Sequence, residues 1–107
     1  MSKDHLGEFE QIVLLAVARL RDDAYGAAVK REIESRTGRA VTIGALYATL
    51  DRLEAKRYVH SWFGDPTPER GGRAKRHFEL RPAGAEALAR SRDMMDRMWK
   101  GVRLDRA

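Results

Sequence analysis

The tightest constraint on this chain is the gap between two helical patterns. Only Gly38 to Val41 separate a segment that reads as a helix from about Tyr25 to Thr37 from a second one over Thr42 to Lys56. Gly38 supplies the stop, because a glycine just past a last turn takes the left-handed conformation without a Cβ penalty. Thr42 supplies the next start, since its hydroxyl can accept a bond from an orphan amide of the first turn. Two helices joined by so short a turn fold back on each other, either as a plain αα-hairpin or as a helix-turn-helix whose second member enters the DNA major groove.

In the second helix Leu46, Leu50 and Leu53 make one apolar stripe at helical spacing. The opposite side carries Gly44, Ala45, Ala48, Asp51, Arg52 and Ala55, so its first two turns have almost no side-chain bulk. A backbone stripped in this way can approach another large surface closely. An ordinary amphipathic helix with an alanine-rich exposed side is the plainer alternative. In the preceding helix Tyr25, Val29 and Ile33 share the inner face.

Ahead of this pair, Leu6 to Leu20 reads as a helix with Leu6, Phe9, Val13, Ala16, Val17 and Leu20 on one face and Ile12, Leu14 and Leu15 widening it. A helix apolar nearly all round is buried from more than one side. Its expected place is the centre of the fold, with Leu6, Phe9 and Val13 also meeting a second subunit. After Lys56 the period changes: Tyr58, His60 and Trp62 alternate with Val59, Ser61 and Phe63, which suits a strand. Gly64 to Gly72 is full of turn formers, and Lys75 to Leu80 alternates again. The result is a hairpin with a basic tip in which Arg70, Arg73, Lys75 and Arg76 are opposed only by Glu69. A solvated loop explains the glycines and prolines, whereas phosphate contact explains the cations.

Pro82 suits the first turn of a last helix, where its missing amide is not needed. From there Ala85, Leu88, Met95, Trp99 and Val102 form a narrow seam on an otherwise charged helix. The seam packs either on this chain's own first helix or, the favoured expectation, on a second copy.

A chain of 107 residues makes one domain, and its net charge of +5 suits a polyanionic partner. With no cysteine there are no disulfides, thiolate zinc sites or cysteine nucleophiles. No apolar run approaches the roughly 20 residues of a membrane helix, and Met1 to His5 lacks a secretory signal's apolar core, so a cytoplasmic protein is expected. Neither an activated nucleophile nor a carboxylate pair can be assembled, so no enzyme and no cofactor are expected. His60 and His77 fall on the two strands and might approach each other, but without a clear carboxylate partner no metal site is expected.

The order helix, helix-turn-helix, hairpin, helix resembles the PadR family of winged helix-turn-helix transcription regulators, in its short form with a single terminal helix. The resemblance rests on Tyr25-Gly26, on Thr42-Ile43-Gly44-Ala45-Leu46-Tyr47 leading into Leu50 and Leu53-Glu54, and on Gly71 to Gly84. Ala48 stands where the family commonly has proline, and the loop before Gly71 is longer than in many members. The fold expected is mainly α with a small β-hairpin (α+β): a winged helix-turn-helix domain over 1–81 and a dimerisation helix over 82–107.

The resemblance implies a homodimer that binds a pseudo-palindromic operator in double-stranded DNA, usually to repress transcription. Thr42 and the amides of Ile43 and Gly44 would meet a phosphate at the helix N-terminus, and Ala45, Ala48 and Thr49 would face base edges. Tyr47 resembles the family tyrosine that reaches the DNA backbone, with partial burial against the wing as its alternative. Tyr25 joins this face, and Arg52 would reach a phosphate or a guanine or stay solvated. Arg70, Gly72, Arg73 and Lys75 would bring the wing to a minor groove or its phosphates. Leu6, Phe9, Val13, Leu88, Met95, Trp99 and Val102 would form the dimer interface. Met95, Met98 and Trp99 would line an effector pocket for a small apolar or aromatic ligand, or simply be dimer core. The competing reading is a winged-helix protein-interaction module without DNA binding.

Overall fold

The computed structural model describes residues 5–64 and 74–105. Helix α1 spans Glu8–Leu20, a 3-10 turn covers Arg21–Asp23, and helices α2 (Gly26–Thr37) and α3 (Ile43–Ala55) follow. Strands β1 (Val59–Phe63) and β2 (Arg76–Leu80) precede helix α4 (Pro82–Trp99). Local chemistry accounts for most boundaries. The Glu10 carboxylate accepts from the Gly7 amide at 2.9 Å, which caps the start of α1. Gly38 ends α2 in the left-handed conformation at φ 71°, its amide bonded to the Glu34 carbonyl. Thr42 caps α3 by accepting from the Ala45 amide at 3.1 Å. The helix-turn-helix pattern and its two punctuating residues are therefore as expected from sequence.

The core lies where α1, α2, α3 and the hairpin meet. Phe78, Leu6, Val13, Leu14, Val17, Ile33, Leu46, Leu50 and Leu53 are all buried. Each such aliphatic or aromatic side chain contributes roughly 1.5–3 kcal/mol by leaving water. Leu6 and Val13, expected at a dimer interface, are 1% and 0% exposed and belong to this core. Periodicity cannot say whether an apolar residue faces its own chain or a partner, and here the interior takes both. Phe9 is half-buried and packs against the same core.

The strands pair antiparallel from Val59↔Leu80 to Phe63↔Arg76, and the Gly64 amide donates to the Lys75 carbonyl at 2.9 Å above that register. The hairpin is moored on a further side by a bridge between Tyr25 and His77 and by a bond from the Phe78 amide to the Ala24 carbonyl at 2.8 Å.

Helix α4 buries Gly84, Ala87 and Ser91, and Leu88 is packed against the core. Gly84 is required because a Cβ there would collide with the Tyr58 carbonyl oxygen, with Leu80 Cδ1 at 2.9 Å. At 100° per residue this face continues along Met95 and Met98 with Trp99 at its edge, yet from Arg92 onward the whole helix is exposed. The expected seam thus splits, Leu88 onto this chain and Met95, Trp99 and Val102 into the open at 46%, 51% and 49% exposure.

Candidate nucleic-acid interface

The outer face of α3 is bare. Thr42, Ile43, Gly44, Ala45 and Ala48 are all exposed, and nothing lies within 4 Å of where a Gly44 Cβ would stand. Among the described residues nothing accepts from the Ile43 and Gly44 amides, so the helix presents free donors at its positive end. Thr49 departs from expectation: it is 2% exposed, and its Oγ1 accepts from Arg52 Nη2 at 3.1 Å. Positions 46, 49, 50 and 53 form one i, i+3, i+4, i+7 stripe, so Thr49 belongs with the leucines and cannot reach a base edge.

Arg52 lies on the flank. Besides Thr49 it faces the Glu10 carboxylate, with Nε 3.9 Å from Oε2, and Lys56 donates to the same oxygen at 3.1 Å. Burial pushes the Glu10 carboxyl up, but the Gly7 amide, Lys56 and Arg52 outweigh it and hold it below 4.5. Glu10 thereby fastens the end of α3 to the start of α1 and occupies part of the charge that Arg52 would offer to DNA.

Beside α3, an open groove of about 720 Å³ runs between the start of α2 and the hairpin, lined by Tyr25, Gly26, Arg31, Tyr47, Phe63 and Lys75 among others. The Tyr47 ring is half-buried, 6.3 Å from Phe78 between centroids, with its hydroxyl against Gly26, where any Cβ would collide with it. Its burial is against the hairpin and α2, and its polar end faces the groove. Tyr25 does not cap α2 with its side chain. Lys75 Nζ sits 4.2 Å over the Tyr25 ring, and Arg31 donates to the Tyr25 hydroxyl at 3.2 Å. Arg31 and the 70%-exposed Phe63 were not singled out by sequence. Only the fold places them beside Tyr25 and Tyr47, although Arg31 stands under two turns beyond Tyr25 on a helix already read as amphipathic. Arg70, Gly72 and Arg73 lie outside the described residues.

On the hairpin's other side Trp62 stacks between His60 and His77, with ring centroids 5.9 and 5.6 Å away, so the indole separates the two histidines. Far from the groove, the turn at Gly101 brings the chain back beyond α4, the Val102 amide bonding to the Trp99 carbonyl at 2.8 Å. Met95, Met98, Trp99, Val102 and Leu104 enclose an apolar cup of about 230 Å³ there. The residues expected for an effector pocket are brought together, and so are three of the seven expected for a dimer, Met95, Trp99 and Val102.

Known proteins resemble this arrangement. The sequence profile of the transcriptional regulator PadR-like family matches residues 14–90. The chain is 37% identical over 89 residues to an uncharacterized 37.1 kDa protein in transposon TN4556 of Streptomyces fradiae, a match covering 83% of this chain and 23% of that protein. It is 34% identical over 71 residues to an uncharacterized protein X of Lysinibacillus sphaericus, covering 64% and 62% respectively. The chain thus spans less than two thirds of either relative. Among solved structures, RosR of H. salinarum superposes with a TM-score of 0.69 at 26% identity, covering 92% of this chain and 81% of that one. A PadR family regulator from Clostridium difficile gives 0.65 at 24% identity over 83% and 91%, a likeness of fold. The profile match takes in the second half of α1, the helix-turn-helix, the hairpin and the first half of α4, and the chain belongs to the PadR-like family of transcriptional regulators.

Proposed function

We propose that this regulator binds operator DNA as a homodimer in the cytoplasm and represses transcription by occupying its site. The observation that carries the reading is the meeting of a bare α3 face with the cation-rimmed groove of Tyr25, Arg31 and Lys75. Free amides of Ile43 and Gly44 meet one phosphate, while Ala45 and Ala48 lie close to base edges and suit thymine methyl groups. Lys75, Arg31 and the Tyr47 hydroxyl hold the backbone at the groove, and Arg70, Gly72 and Arg73 extend the contact from the wing. Residues 1–81 form the DNA-binding unit and 82–107 the dimerisation helix. The second copy covers Met95, Trp99 and Val102, which this chain leaves about half exposed. A small apolar or aromatic effector entering near Met95, Met98 and Trp99 would compete with that packing and release the DNA.

Fluorescence anisotropy on DNA from immediately upstream of the gene and on scrambled DNA, across a salt series, tests this with Lys75→Gln alongside. Tight binding to the upstream duplex, weaker binding to the scramble and a salt slope reduced by about 0.9 in the variant are expected. Absence of binding to either duplex at low salt would leave the fold serving protein interaction instead.

A further inference from the structure

Arg76 stands beside Lys75 in a basic run and borders the same groove, and by charge alone it is one more phosphate ligand. The fold turns its guanidinium away from that groove's cations and onto α3 and β1. Its Nε donates to Ser61 Oγ at 3.2 Å, its Nη1 to Asp51 Oδ1 at 3.3 Å and its Nη2 to Glu54 Oε1 at 2.8 Å. Glu54 also accepts from the Ser61 amide at 3.1 Å and from the Ser61 hydroxyl at 2.8 Å. All three guanidinium nitrogens are engaged, and the side chain is 25% exposed. Two carboxylates against one guanidinium leave the cluster with a net charge of −1, which does not attract phosphate. What the cluster does is join elements: Asp51 and Glu54 from α3, Ser61 from β1 and Arg76 from β2.

Covalently, α3 and β1 are linked only by Lys56, Arg57 and Tyr58, with Arg57 at a left-handed φ of 63°. The Tyr25 bridge and the Ala24 bond hold β2 against the start of α2, and the Arg76 cluster adds a polar tie from both strands to α3 itself. We propose that Arg76 is a positioning residue for DNA reading: it sets the angle between the wing and α3, and hence operator specificity, without touching DNA. The inference rests on the DNA-binding reading above. Specific contact requires α3 in the groove and the wing on the flanking backbone at once, whereas non-specific phosphate contact tolerates either alone.

The test starts with a duplex that the wild-type protein enriches from a randomised library, and a shuffled version of it. Arg76→Met, the milder Ser61→Ala and the control Lys75→Gln are titrated on both across a salt series. Wing order is read separately as the difference in Trp62 fluorescence anisotropy with and without Arg76→Met, both in a Trp99→Phe background, at one oligomeric state fixed by sedimentation. Arg76→Met is expected to weaken binding to the enriched duplex by about tenfold, with shuffled-DNA affinity and salt slope unchanged and Trp62 anisotropy lowered. Ser61→Ala moves in the same direction by less. Lys75→Gln lowers the slope by about 0.9 on both duplexes. A flatter salt slope for Arg76→Met on both duplexes makes Arg76 a direct phosphate ligand and overturns the inference. So does an unchanged ratio of specific to shuffled binding in both Arg76→Met and Ser61→Ala. If the wild type enriches nothing, the DNA-binding reading fails first and takes this inference with it, a result visible before any variant is made.

Discussion

Alanine in place of Gly84 isolates how closely α4 is docked. Gly84 lies in the first turn of α4, and its φ is not in the left-handed region. Helix propensity alone would therefore make alanine stabilising there by up to about 1 kcal/mol. The structure reverses the sign. A Cβ would stand 3.1 Å from the Tyr58 carbonyl carbon and 2.9 Å from Leu80 Cδ1, with the Tyr58 oxygen nearer still. Ordinary carbon contacts fall at roughly 3.5–4.0 Å, so helix and hairpin must part by at least about half an ångström. The oxygen in the way is backbone and already accepts from the Arg81 amide at 2.9 Å, so retreat weakens that bond too. Overpacking costs about 1–3 kcal/mol and a weakened hydrogen bond up to about 1 kcal/mol. The net is a loss of about 1–3 kcal/mol, and each kcal/mol lowers the melting temperature by roughly 4–8 °C in a domain of this size. Thermal and urea unfolding followed by circular dichroism, at one protein concentration because self-association shifts apparent stability, measures it. A Gly84→Ala protein as stable as wild type would refute the close docking of α4 on the hairpin.

The same substitution at Gly44 should act oppositely. With open space around its Cβ, Gly44→Ala stabilises by about 0.5–1 kcal/mol while lowering operator affinity, and unchanged affinity would remove Gly44 from the interface. The Ser61 hydroxyl, acting against burial and joined by the Ser61 amide and Arg76, holds the Glu54 carboxyl below 4.5. A folded pKa lowered in this way gives stability that is complete above about pH 4.5 and is lost as pH falls through the folded value. Urea midpoints against pH should therefore drop less steeply below that point for Glu54→Gln than for wild type, and parallel curves would contradict the assignment. Trp99→Glu should weaken self-association at least about tenfold in sedimentation experiments, whereas unaltered association would place the dimer contact elsewhere.

The helix-turn-helix was legible because its determinants are local: a leucine stripe, Gly38 at one end and Thr42 at the other. The bare face of α3 was legible for the same reason, and Thr49 was misplaced only by overlooking its membership of the stripe at 46, 50 and 53. What the sequence concealed is long-range. Arg76 reads as a free cation until Asp51 and Glu54, 25 and 22 residues away, are seen to hold it. Tyr25 and His77 bear no local sign of their bridge. Leu6 and Val13 read equally well as core or interface, since both environments select the same side chains at the same spacing.

The hairpin's moorings bear on how such a protein can change over generations. One strand is held by Glu54 through Ser61, the other by Ala24 through Phe78, and the Gly64 to Lys75 bond closes the ladder beneath the tip. Each strand is thus anchored within the described residues, up to the Gly64 to Lys75 bond. Insertions, deletions and new cations between Gly64 and Ala74 leave the register, the core and α3 as they are. If the wing meets DNA as proposed, a lineage can acquire new operators by altering the length and charge of this stretch without renegotiating the stability of the described fold.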